Sequence, residues 1–177
     1  LIENKEDIDK LEVSSDSLAY VTQTTLSVDE TSELIEILKS KFPNIIGPSA
    51  DDICYATQNR QDAVKQLSLE CEVVLVIGSK TSSNSNRLKE LAEKCGTKSF
   101  LIDDKTDIKI DELESSSVGI TAGASAPEDI VQEVISYLVP LGYNHVRNLS
   151  ENKESMTFKL PRDRKSTRLN SSHLLIS

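Results

Sequence analysis

A chain of 177 residues with 29 acidic against 20 basic side chains, a net charge of -9, lacks the clustered positive field that holds a nucleic-acid backbone. Nothing in it approaches the roughly 20 consecutive apolar residues of a membrane-spanning helix, and no secretory signal opens it. With no tryptophan, 4% aromatic residues and 6 glycines, its core is expected to be aliphatic.

The first residue is Leu1 rather than Met, which suggests a fragment or a processed chain. Residues 1–10 are charged and close an earlier element, with a short helical turn over 7–11. Leu18-Ala19-Tyr20-Val21 reads as a strand and residues 22–26 as the loop at its carboxyl end. Ser27, with Glu30 three positions on, makes a capping box. Leu34, Ile35, Ile37 and Leu38 continue as the apolar face of a helix that Pro43 ends. Gly47-Pro48-Ser49 is a linker-like turn and predicts a domain boundary. A helix with Ala63, Val64 and Leu67 on one face follows.

Val73-Val74-Leu75-Val76-Ile77 is the centre of the pattern. An unbroken run of β-branched residues and Leu predicts a strand buried on both faces, as in a parallel sheet covered by helices. It breaks into a polar run, Ser79-Lys80-Thr81-Ser82-Ser83-Asn84-Ser85-Asn86, and then resumes as a helix over 86–94 that Gly96 terminates. Open α/β sheets bind ligands at the carboxyl ends of their strands. Hydroxyls, carboxamides and the free amides of a helix start suit an anion such as phosphate. Ser, Thr and Asn also cap helices for purely structural reasons, so composition leaves both readings open. Lys80 and Arg87 flank the loop, as phosphate partners or as solvated surface.

Ser99 to Ile102 predicts a further strand, residues 103–117 an acidic stretch with one short helix, and Val118-Gly119-Ile120-Thr121 the last clear core strand. Ala122-Gly123-Ala124-Ser125 is its loop, and Ser125 with Glu128 predicts a second capping box with Pro127 in the first turn. Ile130, Val131, Val134, Ile135 and Leu138 form a helical stripe that ends near Pro140, and residues 151–160 predict a closing strand. The alternation defines the expected class: α/β, with parallel-sheet, Rossmann-like domains. Residues 163–177 resemble the translation of a sequencing-adapter read-through and are expected to be disordered and outside the fold.

None of the 3 cysteines lies in a CxxC pattern, and no disulfide framework is expected. Cys54 stands before a helix start in a segment too polar for a core strand. Helix N-termini favour negative charge, and the thiolate is the form that ligates metal. A free Cys is also commonly a small buried hydrophobe, the reading that suits Cys71 and Cys95. His145 is the one histidine before residue 163, so no Ser-His-Asp arrangement can be built. Neither GxGxxG nor a Walker A pattern occurs.

Four segments then stand out together: Thr22-Gln23-Thr24-Thr25-Leu26-Ser27-Val28-Asp29, Asp52-Ile53-Cys54-Tyr55-Ala56-Thr57-Gln58-Asn59-Arg60-Gln61, Gly78-Ser79-Lys80-Thr81-Ser82-Ser83-Asn84-Ser85-Asn86-Arg87-Leu88 and Thr121-Ala122-Gly123-Ala124-Ser125-Ala126-Pro127. In this order they resemble the 4-hydroxy-3-methylbut-2-enyl diphosphate reductase family, also called IspH or LytB, over residues 1–160, with Thr81 where Asn is more usual. The resemblance implies an oxidoreductase, the last enzyme of the non-mevalonate isoprenoid pathway. Such an enzyme removes the hydroxyl of an allylic diphosphate with two electrons and two protons, giving isopentenyl diphosphate and dimethylallyl diphosphate. It also implies three similar α/β domains around a 4Fe-4S cluster held by three Cys, one iron being left open to substrate. Carried over by resemblance, Cys54 is the third cluster ligand, and Ser82, Ser83, Asn84 and Ser125 hold the diphosphate. Thr24 lies beside the reacting hydroxyl, with Thr25 as its neighbour. Ferredoxin or flavodoxin is the implied electron donor, and the bacterial cytoplasm or the plastid stroma the implied location; no nucleic-acid or membrane partner is expected.

The family's other cluster cysteines, its diphosphate-binding histidines and its His-Pro-Glu proton-relay motif have no counterpart in this sequence. The chain is therefore expected to be the C-terminal half of such an enzyme. Residues 1–47 end the second domain, 48–142 form the third, 143–162 a tail segment and 163–177 the adapter-like stretch. No catalytic residue is expected here, because the proton-donor Glu lies upstream, and the chain alone is expected neither to assemble a stable cluster nor to turn over. The polar loops by themselves also fit a non-redox phosphosugar- or phosphate-binding α/β module, or a structural remnant without ligand.

Overall fold

A computed structural model describes residues 1–13, 17–48, 53–113, 117–149 and 174–176. The chain divides into two compact units, Leu1–Gln61 and Asp62–Ser177.

In the first unit, α1 (Lys5–Asp9) begins earlier than residue 7 because Asn4 caps it. The Asn4 Oδ1 accepts from the Asp7 amide at 3.0 Å and the Asp7 carboxylate accepts from the Asn4 amide at 3.3 Å, the reciprocal pair of a capping box. Ser27 caps α2 (Val28–Lys41) as its sequence indicates, with Asp29 and Glu30 at the positive end of the helix dipole and Lys39 and Lys41 at the negative end. The strand expected at 18–21 contracts to one parallel bridge, Ala19 to Ile46. It is closed by Tyr20 N–H to the Ile46 carbonyl at 2.9 Å and Ile46 N–H to the Leu18 carbonyl at 2.8 Å. Beyond these bonds the local sequence turns away: Val21 is 86% exposed.

Gln61 secures this unit from inside α3 (Tyr55–Glu70). Its buried carboxamide accepts from the Val28 amide at 3.0 Å and donates to the Leu26 carbonyl at 2.8 Å, which satisfies two backbone groups of the loop entering α2. Gln61→Leu keeps the volume and leaves both backbone groups without a partner. Chemical denaturation is expected to show a loss of about 1–3 kcal/mol.

The second unit is built on β1 (Val73–Ile77), which lies between β2 (Lys98–Ile102) and β3 (Val118–Ala122) and is parallel to both. The full order is β2-β1-β3-β5-β4, with β4 (Val146–Asn148) and β5 (Leu174–Ile176) antiparallel to their neighbours. The α/β class and the parallel core match the expectation, but the tail does not: β5 comes from the stretch expected to lie outside the sheet and pairs Val118 with Ile176. The strand expected at 151–160 lies outside the described residues.

Every residue of β1 is buried, for the reason its sequence suggests. Leu75 and Ile77 join Ile120, Val131, Val134 and Leu138 on the face covered by α5 (Glu128–Leu138). Val74 and Val76 join Val64 and Leu67 of α3 and Leu88, Leu91 and Ala92 of α4 (Ser83–Lys94) on the other. Gly96, at φ +86°, ends the α4 segment in the left-handed region that favours glycine. The expected short helix at 103–117 is instead a pair of 3-10 turns, Lys105–Asp107 and Ile110–Glu112. The second capping box is also corrected: Pro127, extended at φ -65° and ψ 138°, is itself the N-cap, and no side chain caps α5. Without an amide hydrogen, Pro serves at this position at no cost to the helix ladder.

Cys71 closes the α3 face of this core, and burial, reinforced by the Glu70 carboxylate, pushes its thiol up to about 11. The raised pKa favours the neutral form in the fold. Its contribution is therefore complete below the unfolded-state pKa near 9 and is lost as pH rises through about 11. Melting curves between pH 8 and 11.5 are expected to show a decline of up to about 2 kcal/mol that Cys71→Ala removes.

Candidate anion-binding site

The chain passes from β1 through α4 to β2 on one side, then crosses to β3 on the other, so the topological switch point lies between the carboxyl ends of β1 and β3. Two of the expected loops flank it: Gly78 to Ser82 after β1, and Gly123 to Ser125 after β3. They are tied together. Gly123 N–H donates to the Ile77 carbonyl at 2.8 Å, and buried Ser85 stands between Gly78 and Gly123 so closely that a Cβ on either glycine would lie 2.2 Å from its Oγ.

Most of the polar residues of the β1 loop are consumed in holding its own shape. The Ser79 hydroxyl accepts from the Thr81 amide at 3.2 Å and meets the Thr81 hydroxyl at 2.9 Å. The Asn86 Nδ2 donates to the Lys80 and Ser82 carbonyls at 2.8 and 2.9 Å. Ser82 caps α4, accepting from the Ser85 amide at 3.3 Å, and also accepts from the Ser85 hydroxyl at 3.1 Å. Arg87 pairs with Glu90 at 2.8 Å, while Lys80 is exposed.

Asn84 is the exception. It is 7% exposed, and neither its Oδ1 nor its Nδ2 has a hydrogen-bond partner. Helix capping explains Ser82 but leaves a buried carboxamide in the first turn unexplained. Beside it are the exposed Ser83 and the amides of Ser83 and Asn84, which no carbonyl of α4 can reach. No acidic residue stands in this first turn, so the positive end of the helix dipole is left uncompensated for an anion. Ser125 is exposed in the neighbouring β3 loop.

Thr24, Thr25 and Cys54 belong to the first unit. Cys54 immediately precedes α3, its carbonyl accepting from the Thr57 and Gln58 amides at 2.8 and 3.0 Å, and its own amide donates to the Thr24 carbonyl at 3.2 Å. Sequence segments thirty positions apart thus place an exposed thiol beside an exposed threonine, with Thr25 half-buried next to it. Thr57 is buried at 4% exposure one turn from Cys54, and Gln61, on the same helix, bonds the Leu26 and Val28 backbone, while Ser85 packs between Gly78 and Gly123 in the second unit. In the sequence Thr57 and Gln61 carry no role of their own; the signal for them is a polar residue at a helix position that faces the core.

The described residues contain no group of three or more His, Cys, Asp or Glu side chains that could hold a metal ion. Cys54 is one candidate thiolate, and a four-iron cluster needs more ligands than these residues supply. A cavity of about 220 Å³, lined by Leu75, Phe100, Ile108 and Leu113 among others, contains none of Ser82, Ser83, Asn84 or Ser125. Among the described residues no helix is long and apolar enough to cross a membrane.

Sheet order, switch point and hydroxyl-lined loops define a doubly wound, Rossmann-like α/β protein. The chain belongs to the LytB protein family, which it matches over residues 1–139. It is 54% identical over 165 residues to a 4-hydroxy-3-methylbut-2-enyl diphosphate reductase of Saccharophagus degradans, a match covering 92% of this chain and 53% of the relative. It is 55% identical to the reductase of a Psychrobacter species over 92% of this chain and 52% of that one. Among solved structures, the E-1-hydroxy-2-methyl-but-2-enyl-4-diphosphate reductase of Plasmodium falciparum superimposes with a TM-score of 0.76 at 34% identity, covering 81% of this chain and 46% of that one. The chain thus spans about half the length of the curated relatives it matches.

Proposed function

We propose that this chain is the diphosphate-gripping part of a 4-hydroxy-3-methylbut-2-enyl diphosphate reductase. The observation that carries the reading is Asn84: a buried carboxamide without a partner, at the start of a helix whose first amides are free. Leaving such a group unsatisfied costs stability, and a diphosphate oxygen would accept from its Nδ2. In this reading Ser82, Ser83, Asn84 and Ser125 donate to the diphosphate, while Thr24 and Thr25 line the path of the allylic hydroxyl. The donors are neutral, as an acidic chain that holds an anion through dipoles requires.

Cys54 is proposed as one thiolate ligand of a 4Fe-4S cluster, a group that supplies electrons and Lewis acidity when bound. Its remaining ligands and the proton donor would come from residues outside this chain. Residues 1–47 would close the family's second α/β domain and 48–142 form its third. Ferredoxin or flavodoxin would deliver the electrons, in a bacterial cytoplasm or a plastid stroma.

Titrating the chain with inorganic pyrophosphate while following the amide resonances of Ser83 and Asn84 tests the grip. Saturable shifts are expected, and their absence up to about 10 mM would overturn it. Anaerobic reconstitution with iron and sulfide tests the division of labour. A stoichiometric cluster with reductase activity in the isolated chain would refute the assignment of the other ligands elsewhere.

A further inference from the structure

We infer that Ser85 is a positioning residue that turns Ser82 into an obligate hydrogen-bond donor and fixes the spacing of the two anion-binding loops. The inference rests on the reading of this edge as a diphosphate site. Ser85 is 1% exposed, and its burial alone would suit a small packing residue. Its bonds do more than fill space. A serine hydroxyl carries one hydrogen and two acceptor lone pairs. The Ser82 oxygen already accepts from the Ser85 amide at 3.3 Å and from the Ser85 hydroxyl at 3.1 Å, so both its lone pairs are occupied. Its one hydrogen is thereby directed away from the helix, and the group can offer an anion a donor but no repelling lone pair. An ordinary N-cap serine, which accepts from the helix amide alone, keeps a lone pair free to face a ligand.

The Ser85 Oγ also sets the distance between the loops. Glycine at 78 and at 123 leaves room for it, since a Cβ at either would lie 2.2 Å from the Ser85 Oγ. Ser85 therefore sits between the ends of β1 and β3, joining the loop that carries Ser82 and Asn84 to the one that carries Ser125.

Geometry supplies a test that separates packing from orientation. A Cβ at Gly123 has Ser85 Cβ at 3.5 Å and the Ile77 carbonyl oxygen at 3.7 Å as its next neighbours. In the double variant Ser85→Ala/Gly123→Ala the new methyl thus occupies the space that the hydroxyl leaves. Gly123→Ala alone is expected to lower the melting temperature through the clash, and the double variant to recover it. Pyrophosphate affinity, read from the Ser83 and Asn84 amides, is expected to fall about tenfold in Ser85→Ala and to stay low in the double variant, because Ser82 is no longer held as a donor to the charged group. A double variant that regains both melting temperature and affinity would reduce Ser85 to packing and overturn the inference. So would Ser85→Ala binding within twofold of the parent, with the site reading left standing. A parent chain that does not bind pyrophosphate would remove the site reading and this inference together.

Discussion

Asn84→Leu is expected to make the second unit more stable and to cost it its anion. The side chain it replaces is buried with both polar atoms unsatisfied, so an apolar group of similar size removes a desolvation penalty of about 1–3 kcal/mol. The same change deletes a donor of the proposed site, and pyrophosphate affinity is expected to fall by at least about tenfold. Asn84→Asp makes the opposing case for the anion: a carboxylate in this first turn takes up the helix dipole itself and repels pyrophosphate. Thermal denaturation with and without pyrophosphate reads both effects, because a ligand that binds the folded form raises its apparent stability. A less stable Asn84→Leu variant would mean that the carboxamide is satisfied by the protein itself, and the site would lose its main support.

The second large effect lies one turn further along the same helix. Leu88 is fully buried and packs with Val74, Val76 and Leu67 beneath the sheet. Leu88→Ala removes its burial and leaves a cavity, a loss of about 2–5 kcal/mol. For a unit of this size that corresponds to a fall of roughly 10–25 °C in melting temperature. Since α4 presents Ser82 to Asn84 from its first turn, pyrophosphate should restore part of the loss. A drop of a few degrees would show that the lower layer repacks around the gap.

How far the sequence carried these conclusions differs from element to element. β1 was legible because five buried positions in a parallel sheet need an unbroken apolar run. α4 was legible because Leu88 and Leu91 recur on one face between a polar cap and Gly96. The strand at 18–21 was not, because strand identity depends on partners: Ala19 finds only Ile46, so a β-rich tetrapeptide yields a bridge. β5 was missed because residues 163–177, read as an adapter-like stretch, were set outside the fold, and its place beside β3 depends on a pairing far away in sequence. The residues proposed to touch a ligand came from hydroxyl-rich loops and family resemblance. Gln61 and Ser85 were passed over because a buried amide and a buried hydroxyl look like any helix polar residue until their bonds are seen.

Asn86, which holds the Lys80 and Ser82 carbonyls with one amide group, has a kinetic consequence. In the proposed site a loop fixed in this way would meet its ligand already in shape, and capture would proceed without a prior rearrangement. The observed association rate should then climb in proportion to pyrophosphate concentration, with no plateau of the kind imposed by a slow gate. Selectivity at such an edge comes from how well an anion fits a rigid mould, and discrimination should be seen mainly in how fast the wrong ligand leaves.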